Sequence, residues 1–292
     1  MKDGIVIADA FHKEVRIHAM CSTAMVQEAV NVHHCMPTSA AALGRTLSVT
    51  ALMASDLKSE NEQITCVING KGEAGTILTI GKGNGDVKGF IANPNVYLVR
   101  EDGHLDVGKA VGTDGSLTVT RNMGLKEPFT GISQLQSGEI GEDFAYYFTV
   151  SEQVPSAVSV GVLVEPDGTV SASGGMIISM MPGAKEETIE AVEKIVGSMP
   201  SMTHLISEGT DIDSVVLQLF EGAEILGHRE VQYHCGCSKQ NYGNALMTLS
   251  DKDLEEMIAE GKPVEIQCQY CNKTYTYSVE ELQQIKEAKC GK

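Results

Sequence analysis

Apolar and polar residues alternate through the first part of the chain, and this pattern predicts a β-hairpin. The alternating runs are 4–10 and 14–21, and residues 11–13 lie between them as the turn. Two segments with helical periodicity follow, at 22–32 and 38–57. The second is rich in Ala and Leu on most of its sides, so we expect this helix to be buried.

Short runs rich in β-branched residues come next, separated by Gly, Asn and Asp, and they predict an antiparallel meander. These runs are 64–68, 75–80, 87–91, 96–99 and 117–120. A helix at 141–150 and a pair of strands at 155–164 and 168–180 complete this part of the chain. Grouped strands and grouped helices, without strict alternation, are typical of an α+β fold.

Several short amphipathic helices are predicted between residues 183 and 222, punctuated by Gly and Pro. Short helices of this kind are stable only when docked on another surface. The final segment alternates β-like runs with two capped helices. We therefore predict three parts: a mixed α+β body at 1–180, a helical linker at 181–231 and a small C-terminal domain at 232–292.

Composition narrows the possible classes of protein. The chain has 292 residues and a net charge of −17, which disfavours binding to nucleic acid or to anionic membranes. No run approaches the roughly 20 apolar residues of a membrane helix, and the N-terminus has no apolar signal region. We expect a cytoplasmic protein, in a reducing compartment where cysteines are usually ligands, reactive thiols or core residues rather than structural disulfides.

The distribution of the cysteines gives the strongest chemical signal. Three of the eight, Cys21, Cys35 and Cys66, are scattered through the first quarter of the chain. Four others form two close pairs in the C-terminal segment, and these are Cys235, Cys237, Cys268 and Cys271. Two thiol pairs on tight turns supply the four tetrahedral ligands of a zinc site, which we predict here. His234 and Cys290 are possible substitute ligands, although four thiols already complete the set.

The residues alone leave the role of this zinc site open. A permanently closed structural site is one interpretation. The other is a redox switch, because thiolates are the form that oxidants attack and their oxidation removes the metal ligands. Metal binding contributes on the order of 10 kcal/mol to the folding of small zinc domains, so its loss can unfold a short segment with little core.

Two other sequence patterns do not indicate a functional site. The glycine-rich segment 81–86 lacks the spacing of a phosphate-binding loop, and we interpret it as a hairpin turn. The acidic residues Glu139, Glu142 and Asp143 have no partner evident in the sequence, so we interpret them as the solvated start of a helix.

The sequence resembles the 33 kDa chaperonin family, the redox-regulated heat-shock holdases of bacteria, over essentially its whole length. The resemblance is carried by the tail patterns His-Cys-Gly-Cys-Ser and Cys-Gln-Tyr-Cys-Asn with their long spacer. Body motifs in the same order support it, including Gly-Arg-Thr-Leu at 44–47, Ser-Gly-Glu-Ile at 137–140 and Met-Pro-Gly-Ala at 181–184.

This resemblance implies a chaperone that binds unfolding client proteins without ATP, rather than an enzyme. The family's zinc ligands correspond to Cys235, Cys237, Cys268 and Cys271. The resemblance implies that the reduced, zinc-bound form is inactive. It also implies that oxidation joins Cys235 to Cys237 and Cys268 to Cys271, releases zinc, loosens the tail and linker, and favours a homodimer.

A loosened linker would expose apolar side chains, and we offer five as candidate client contacts: Ile189, Val192, Val216, Leu219 and Phe220. The same side chains can equally pack the resting state. Two other classes compete with the chaperone. A disulfide oxidoreductase would place the second thiol pair at a helix N-terminus, whereas here the pair lies between β-like runs. A zinc-knuckle nucleic-acid binder would need basic charge, whereas the tail has seven lysines against nine acidic residues.

Overall fold

The structure is a computed structural model that describes residues 2–125 and 127–290, apart from the side chain of Cys290. The chain divides into two compact units, Met1–His234 and Cys235–Lys292. The strands are β1 Gly4–Ala10, β2 Val15–Cys21, β3 Gln63–Asn69, β4 Ile77–Lys82, β5 Asp86–Ile91, β6 Ser116–Asn122, β7 Phe129–Gln134, β8 Ser156–Val164, β9 Val170–Met180, β10 Glu224–Arg229, β11 Gln232–Tyr233, β12 Val264–Gln267 and β13 Thr274–Tyr277. The helices are α1 Thr23–His33, α2 Pro37–Ala54, α3 Val107–Val111, α4 Gly141–Tyr147, α5 Glu186–Ser198, α6 Met202–Ser207, α7 Ile212–Leu219, α8 Lys239–Leu246, α9 Asp251–Ala259 and α10 Val279–Cys290.

The first unit contains two β-sheets. One has the strand order β10-β1-β2-β9-β8, and all its neighbouring strands are antiparallel. The other has the order β11-β5-β4-β3-β6-β7 and is antiparallel except for the short pairing of β11 with β5. The predicted hairpin, meander and late strand pair are therefore confirmed, and the fold is α+β as expected.

Helix α2 packs against both sheets of the first unit. Every residue of this helix except Pro37 and Arg45 is buried, which confirms the expectation from its composition. Small side chains allow this close packing: a Cβ added at Gly44 would lie 2.5 Å from Val26 Cγ1. The buried hydroxyls are satisfied locally, since Ser48 Oγ donates to the Gly44 carbonyl at 2.9 Å.

Helices α5, α6 and α7 cover the opposite face of the first sheet. Their apolar residues form a second core with residues of β1, β2 and β9, separate from the core around α2. The buried residues of the second core in the three helices are Val192, Met202, Ile206, Ile212, Val215, Val216 and, just after α7, Phe220. In this structure the predicted linker helices are thus folded on the sheet, as short amphipathic helices require.

The chain between α7 and the second unit joins both sheets. Strand β10 pairs antiparallel with β1, and β11 pairs with β5. Backbone hydrogen bonds fix β11 at both ends: Gln232 N–H donates to the Gly85 carbonyl at 3.1 Å, and His234 N–H donates to the Val87 carbonyl at 2.9 Å. The predicted linker, residues 181–231, therefore ends with β10, which belongs to the first sheet. The next strand, β11, belongs to the second sheet.

Three details of the first unit differ from the sequence prediction. The run 96–99 is extended but forms only an isolated bridge between Val99 and Leu105, so the predicted strand is wrong. Its backbone bonds instead to the start of α2, where Thr38 Oγ1 lies 2.9 Å from both Leu98 N and Leu98 O. Strand β7 and the short helix α3 were not predicted.

The second unit has a small core. Leu246, Tyr277 and Leu282 form its buried apolar cluster, with partly buried residues packed around them. Strands β12 and β13 form an antiparallel hairpin with Val264 opposite Tyr277. A unit of this size with so few buried apolar side chains needs a further source of stability, such as a metal or disulfides.

Candidate metal centre

The first cysteine pair lies directly after β11 and before α8. Gly236, between the two cysteines, has a φ of +63°, a left-handed conformation that a residue with a Cβ rarely adopts. Ser238 then caps α8, because its side chain accepts a hydrogen bond from Asn241 N–H at 3.2 Å. The tight turn places the two thiols together at the start of a helix.

The second pair lies in the turn of the β12–β13 hairpin. Cys268 N–H donates to the Lys273 carbonyl at 2.9 Å, and Asn272 N–H donates to the Cys268 carbonyl at 2.8 Å. Asn272 has a φ of +55°, which Asn tolerates better than most residues. These two bonds close the turn and direct both thiols to the same side.

All four sulfurs lie within 4.8 Å of one another. The shortest of the recorded distances join opposite pairs: Cys235 Sγ to Cys268 Sγ at 3.5 Å, and Cys237 Sγ to Cys271 Sγ at 3.3 Å. Four sulfurs about 2.3 Å from a central Zn²⁺ would be separated by roughly 3.8 Å. None of the four thiols is joined in a disulfide, and no other group of three or more potential metal ligands occurs in the parts of the chain that the structure describes.

Electrostatics within the cluster also favour a cation. Burial raises the pKa of Cys235 and of Cys271, and neighbouring sulfurs raise these pKa values further. Burial acts in the same direction on Cys268, but hydrogen bonds from Tyr242 and from backbone N–H groups outweigh it and lower its pKa to about 6. Four adjacent thiols cannot all ionise unaided, whereas a divalent cation among them stabilises every thiolate. The donor set and its spacing fit zinc.

His234 was considered as an alternative ligand from the sequence. Its side chain is exposed, and its backbone N–H belongs to the pairing of β11 with β5. The side chain of Cys290, the other alternative, lies outside the described part of the structure.

The three remaining cysteines are buried in the first unit. Burial raises the pKa of Cys35 and of Cys66 to about 12, and it also raises that of Cys21. A buried thiol with a raised pKa is protonated at neutral pH and reacts slowly with oxidants. The structure therefore separates these three from the four clustered cysteines.

The five residues named as candidate client contacts are mostly inside the second core of the first unit. Val216 and Phe220 are 0% and 1% exposed, and Val192 is buried as well. Leu219 is partly buried against the same core, and Ile189 lines a groove of about 360 Å³ between α5 and the β8–β9 edge. In this state of the molecule they hold the helices on the sheet.

The other patterns singled out from the sequence are structural. Residues 81–86 form the turn between β4 and β5, as predicted. Glu139, Glu142 and Asp143 were interpreted as the solvated start of a helix, and this interpretation was wrong for Asp143 and Glu139. Asp143 is 0% exposed and accepts backbone N–H groups from Gln136, Ser137 and Ile140, and Glu139 is paired with Arg45 at 2.8 Å. Both stabilise the entry into α4.

Sequence reasoning missed two groups of residues. One comprises Tyr242 and Tyr275, which lie at the thiol cluster. The only sign of them in the sequence is that each follows a cysteine pair by a few residues. The other is the face of the first sheet beneath α5–α7, which includes Ile17 and Ile178. No helix within residues 2–125 or 127–290 has the length and apolar character needed to cross a membrane.

Comparison with known proteins identifies the family. The sequence model of the Hsp33 protein family matches residues 3–278. A 33 kDa chaperonin of Clostridium tetani is 45% identical over 98% of both chains, and one of Staphylococcus carnosus is 41% identical over 98% of both. The crystal structure of the 33 kDa chaperonin (heat shock protein 33 homologue) of Thermotoga maritima superposes with a TM-score of 0.89 at 36% identity, covering 100% of each chain. The chain belongs to the Hsp33 family, and this membership supports a chaperone role.

Proposed function

We propose that the protein is a redox-regulated, ATP-independent holdase that binds unfolding client proteins and prevents their aggregation. The observation that carries the proposal is the cluster of four thiols, none of them in a disulfide, in a unit with a very small apolar core. Membership of the Hsp33 family supports the chaperone part of it. The proposal includes no catalytic step, so the protein acts by binding and not as an enzyme.

In the reduced state, Cys235, Cys237, Cys268 and Cys271 would hold one Zn²⁺ as thiolates. The ion supplies a centre of positive charge that keeps four thiolates together and joins the α8 turn to the β12–β13 hairpin. The protein contributes the geometry through the left-handed turn at Gly236 and the closed turn between Cys268 and Lys273.

Oxidation would then remove the ligands. We propose the pairing that the family resemblance implies, Cys235 with Cys237 and Cys268 with Cys271. Each pair of thiolates gives two electrons to one hydrogen peroxide, which takes up two protons from solvent and is reduced to two waters for each disulfide formed. Four cysteines allow three connectivities, and the shortest sulfur contacts here join opposite pairs, so peptide mapping of the oxidised protein must decide the pairing.

Loss of zinc would strongly destabilise the second unit, because this unit is small. Structural zinc contributes on the order of 10 kcal/mol to such domains. Disulfides within the two cysteine pairs close very short loops, so they restore little of this stabilisation. Strand β11 ends two residues before Cys235, so disorder in the second unit reaches the segment that joins α7 to the sheets. We propose that α5–α7 then leave the first sheet.

Undocking would expose two apolar surfaces. One is the inner face of the helices, with Ile189, Val192, Val216, Leu219 and Phe220 as candidate client contacts. The other is the sheet face that they cover, including Ile17, Met176 and Ile178. Large contiguous apolar surfaces of this kind bind unfolded chains or a second copy of the same protein. The proposal accordingly includes a homodimer in the active state and a cytoplasmic location, without nucleic-acid or membrane partners.

The direct test is light scattering of a thermally unfolding client. The protein is added either reduced and zinc-loaded or after treatment with peroxide at raised temperature. The proposal predicts that only the oxidised form suppresses aggregation. Equal behaviour of the two forms would leave the family membership intact but contradict the redox regulation. A turnover assay for insulin reduction tests the oxidoreductase alternative, for which we expect no activity.

A further inference from the structure

Two tyrosines, Tyr242 and Tyr275, lie at the thiol cluster and act on different cysteine pairs. Tyr275 Oη lies 3.2 Å from Cys237 Sγ and 3.1 Å from the Cys237 carbonyl oxygen. A hydrogen bond from the Tyr242 side chain contributes to the lowered pKa of Cys268. A phenol has a single proton, so Tyr275 donates either to the Cys237 carbonyl or to its sulfur. When the sulfur is a thiolate, the charge-assisted hydrogen bond to sulfur is the stronger of the two.

Each of the two tyrosines follows one cysteine pair in the sequence but acts on a thiol of the other pair. Tyr242 lies on α8, which follows the first cysteine pair, yet its hydrogen bond lowers the pKa of a thiol of the second pair. Tyr275 lies on β13, which follows the second pair, yet it contacts a thiol of the first. Their rings pack on each other with centroids 5.3 Å apart, so the two hydroxyls are held as one unit. Each tyrosine therefore links one half of the site to the other.

From this geometry we infer that Tyr242 and Tyr275 are positioning residues that set how fast the clustered thiolates react with oxidant. The inference rests on the proposed function, because it concerns the same four cysteines. A hydrogen bond to a thiolate draws electron density from sulfur and weakens it as a nucleophile. Two such bonds, one for each pair, would slow the attack of thiolate sulfur on peroxide.

The chemistry that the tyrosines would control is the first oxidation. A thiolate attacks one oxygen of hydrogen peroxide and forms a sulfenic acid, while the O–O bond breaks and the second oxygen leaves as hydroxide, which takes up a proton to become water. A neighbouring thiol then displaces a second water and closes the disulfide. The tyrosines remain unchanged and supply only hydrogen bonds.

The test removes each hydroxyl singly. Tyr275→Phe and Tyr242→Phe keep the stacked rings and remove one donor each. Tyr277→Phe is the matched control, because Tyr277 also lies on β13 but donates its hydroxyl hydrogen to the Lys239 carbonyl and not to a sulfur. Zinc release from the full-length, zinc-loaded protein is followed with a metallochromic dye after addition of peroxide.

We expect both test variants to release zinc about tenfold faster than the unsubstituted protein, which is the lower end of the effect usual for residues that orient metal ligands. Tyr277→Phe should release zinc at the unsubstituted rate. A second readout separates a change at sulfur from general loosening. In protein loaded with Co²⁺, the sulfur-to-cobalt charge-transfer band should move to longer wavelength in the two test variants only, because a sulfur without its hydrogen bond gives up electron density more readily.

The outcomes distinguish this inference from the proposed function. If the unsubstituted protein keeps its zinc in peroxide, the redox switch itself is contradicted. If it releases zinc but the test variants match it in rate and in cobalt spectrum, the inference is overturned and the switch stands. Equal acceleration in Tyr277→Phe without a spectral shift also overturns the inference, because loosening of the hairpin then explains the rate.

Discussion

Truncation of Phe220 tests whether the residues beneath the linker helices hold the resting state closed. Phe220 follows α7 and is 1% exposed within the second core of the first unit. If its main role is to pack the helices on the sheet, Phe220→Ala should activate the reduced protein. If its main role is to contact clients, the same change should only weaken the oxidised protein. The two roles therefore predict effects of opposite sign.

The magnitude follows from burial. Replacing a fully buried Phe with Ala costs about 3–5 kcal/mol in protein cores. Taking about 3 kcal/mol, and a factor of ten for each 1.4 kcal/mol, the population with α5–α7 undocked should rise by roughly 100-fold. A change of this size increases hydrogen exchange of the α5–α7 amides by the same factor, provided that exchange occurs from the undocked state.

Two measurements on the reduced, zinc-loaded protein check this prediction. Amide hydrogen exchange should accelerate in α5–α7 but not in the buried helix α2, and light scattering should show partial protection of a client without oxidant. Leu217→Ala is the matched control, because Leu217 lies on α7 only three residues before Phe220 but is 52% exposed. A surface change of this kind usually alters stability by less than about 0.5 kcal/mol. Unchanged exchange in Phe220→Ala relative to this control would refute the reasoning.

Three further predictions concern other parts of the molecule. Removal of zinc by a chelator under reducing conditions should abolish the separate thermal transition of the second unit, as calorimetry can show, while the buried helix α2 of the first unit keeps its protection against amide hydrogen exchange. Cys35 and Cys66, with pKa values of about 12, should resist alkylation at pH 8 in the native protein and react only after unfolding, which mass spectrometry detects. Hydrogen bonds from the Thr188 side chain and the Lys185 backbone N–H lower the pKa of Glu14 below its usual 4.5. This carboxylate therefore stabilises the start of α5 fully above its usual pKa and loses that effect as pH falls through its lower folded pKa. Glu14→Gln should accelerate exchange in α5 at pH 7, and the difference should disappear in acid.

Much of the fold follows from local patterns in the sequence. The hairpin of β1 and β2 and the burial of α2 were predictable, because strand alternation and an Ala-rich helix with a single charged residue are properties of the segment alone. The run 96–99 was misassigned for the opposite reason. Its β-branched residues favour an extended backbone, but its hydrogen bonds go to Thr38 and Ser39 at the start of α2, which no local pattern encodes.

The candidate site was predictable to a similar extent. The spacing of the four cysteines identified the cluster, because few other arrangements bring two thiol pairs together in a short segment. The contact of Tyr275 with Cys237 was not predictable, since it joins residues 38 positions apart through the β13 strand. The burial of Asp143 likewise depends on backbone N–H groups from the preceding loop, and the sequence shows only an acidic residue near a helix start.

The central claim is that loss of zinc and gain of holdase activity are one event. Both can be followed on a single sample during oxidation by peroxide, with dye-detected zinc and client light scattering recorded at the same time points. The account predicts the release of one zinc per chain and protection that rises in step with it or directly after it. Protection that reaches its maximum while zinc is still bound would contradict the account, as would complete zinc release and disulfide formation without any protection.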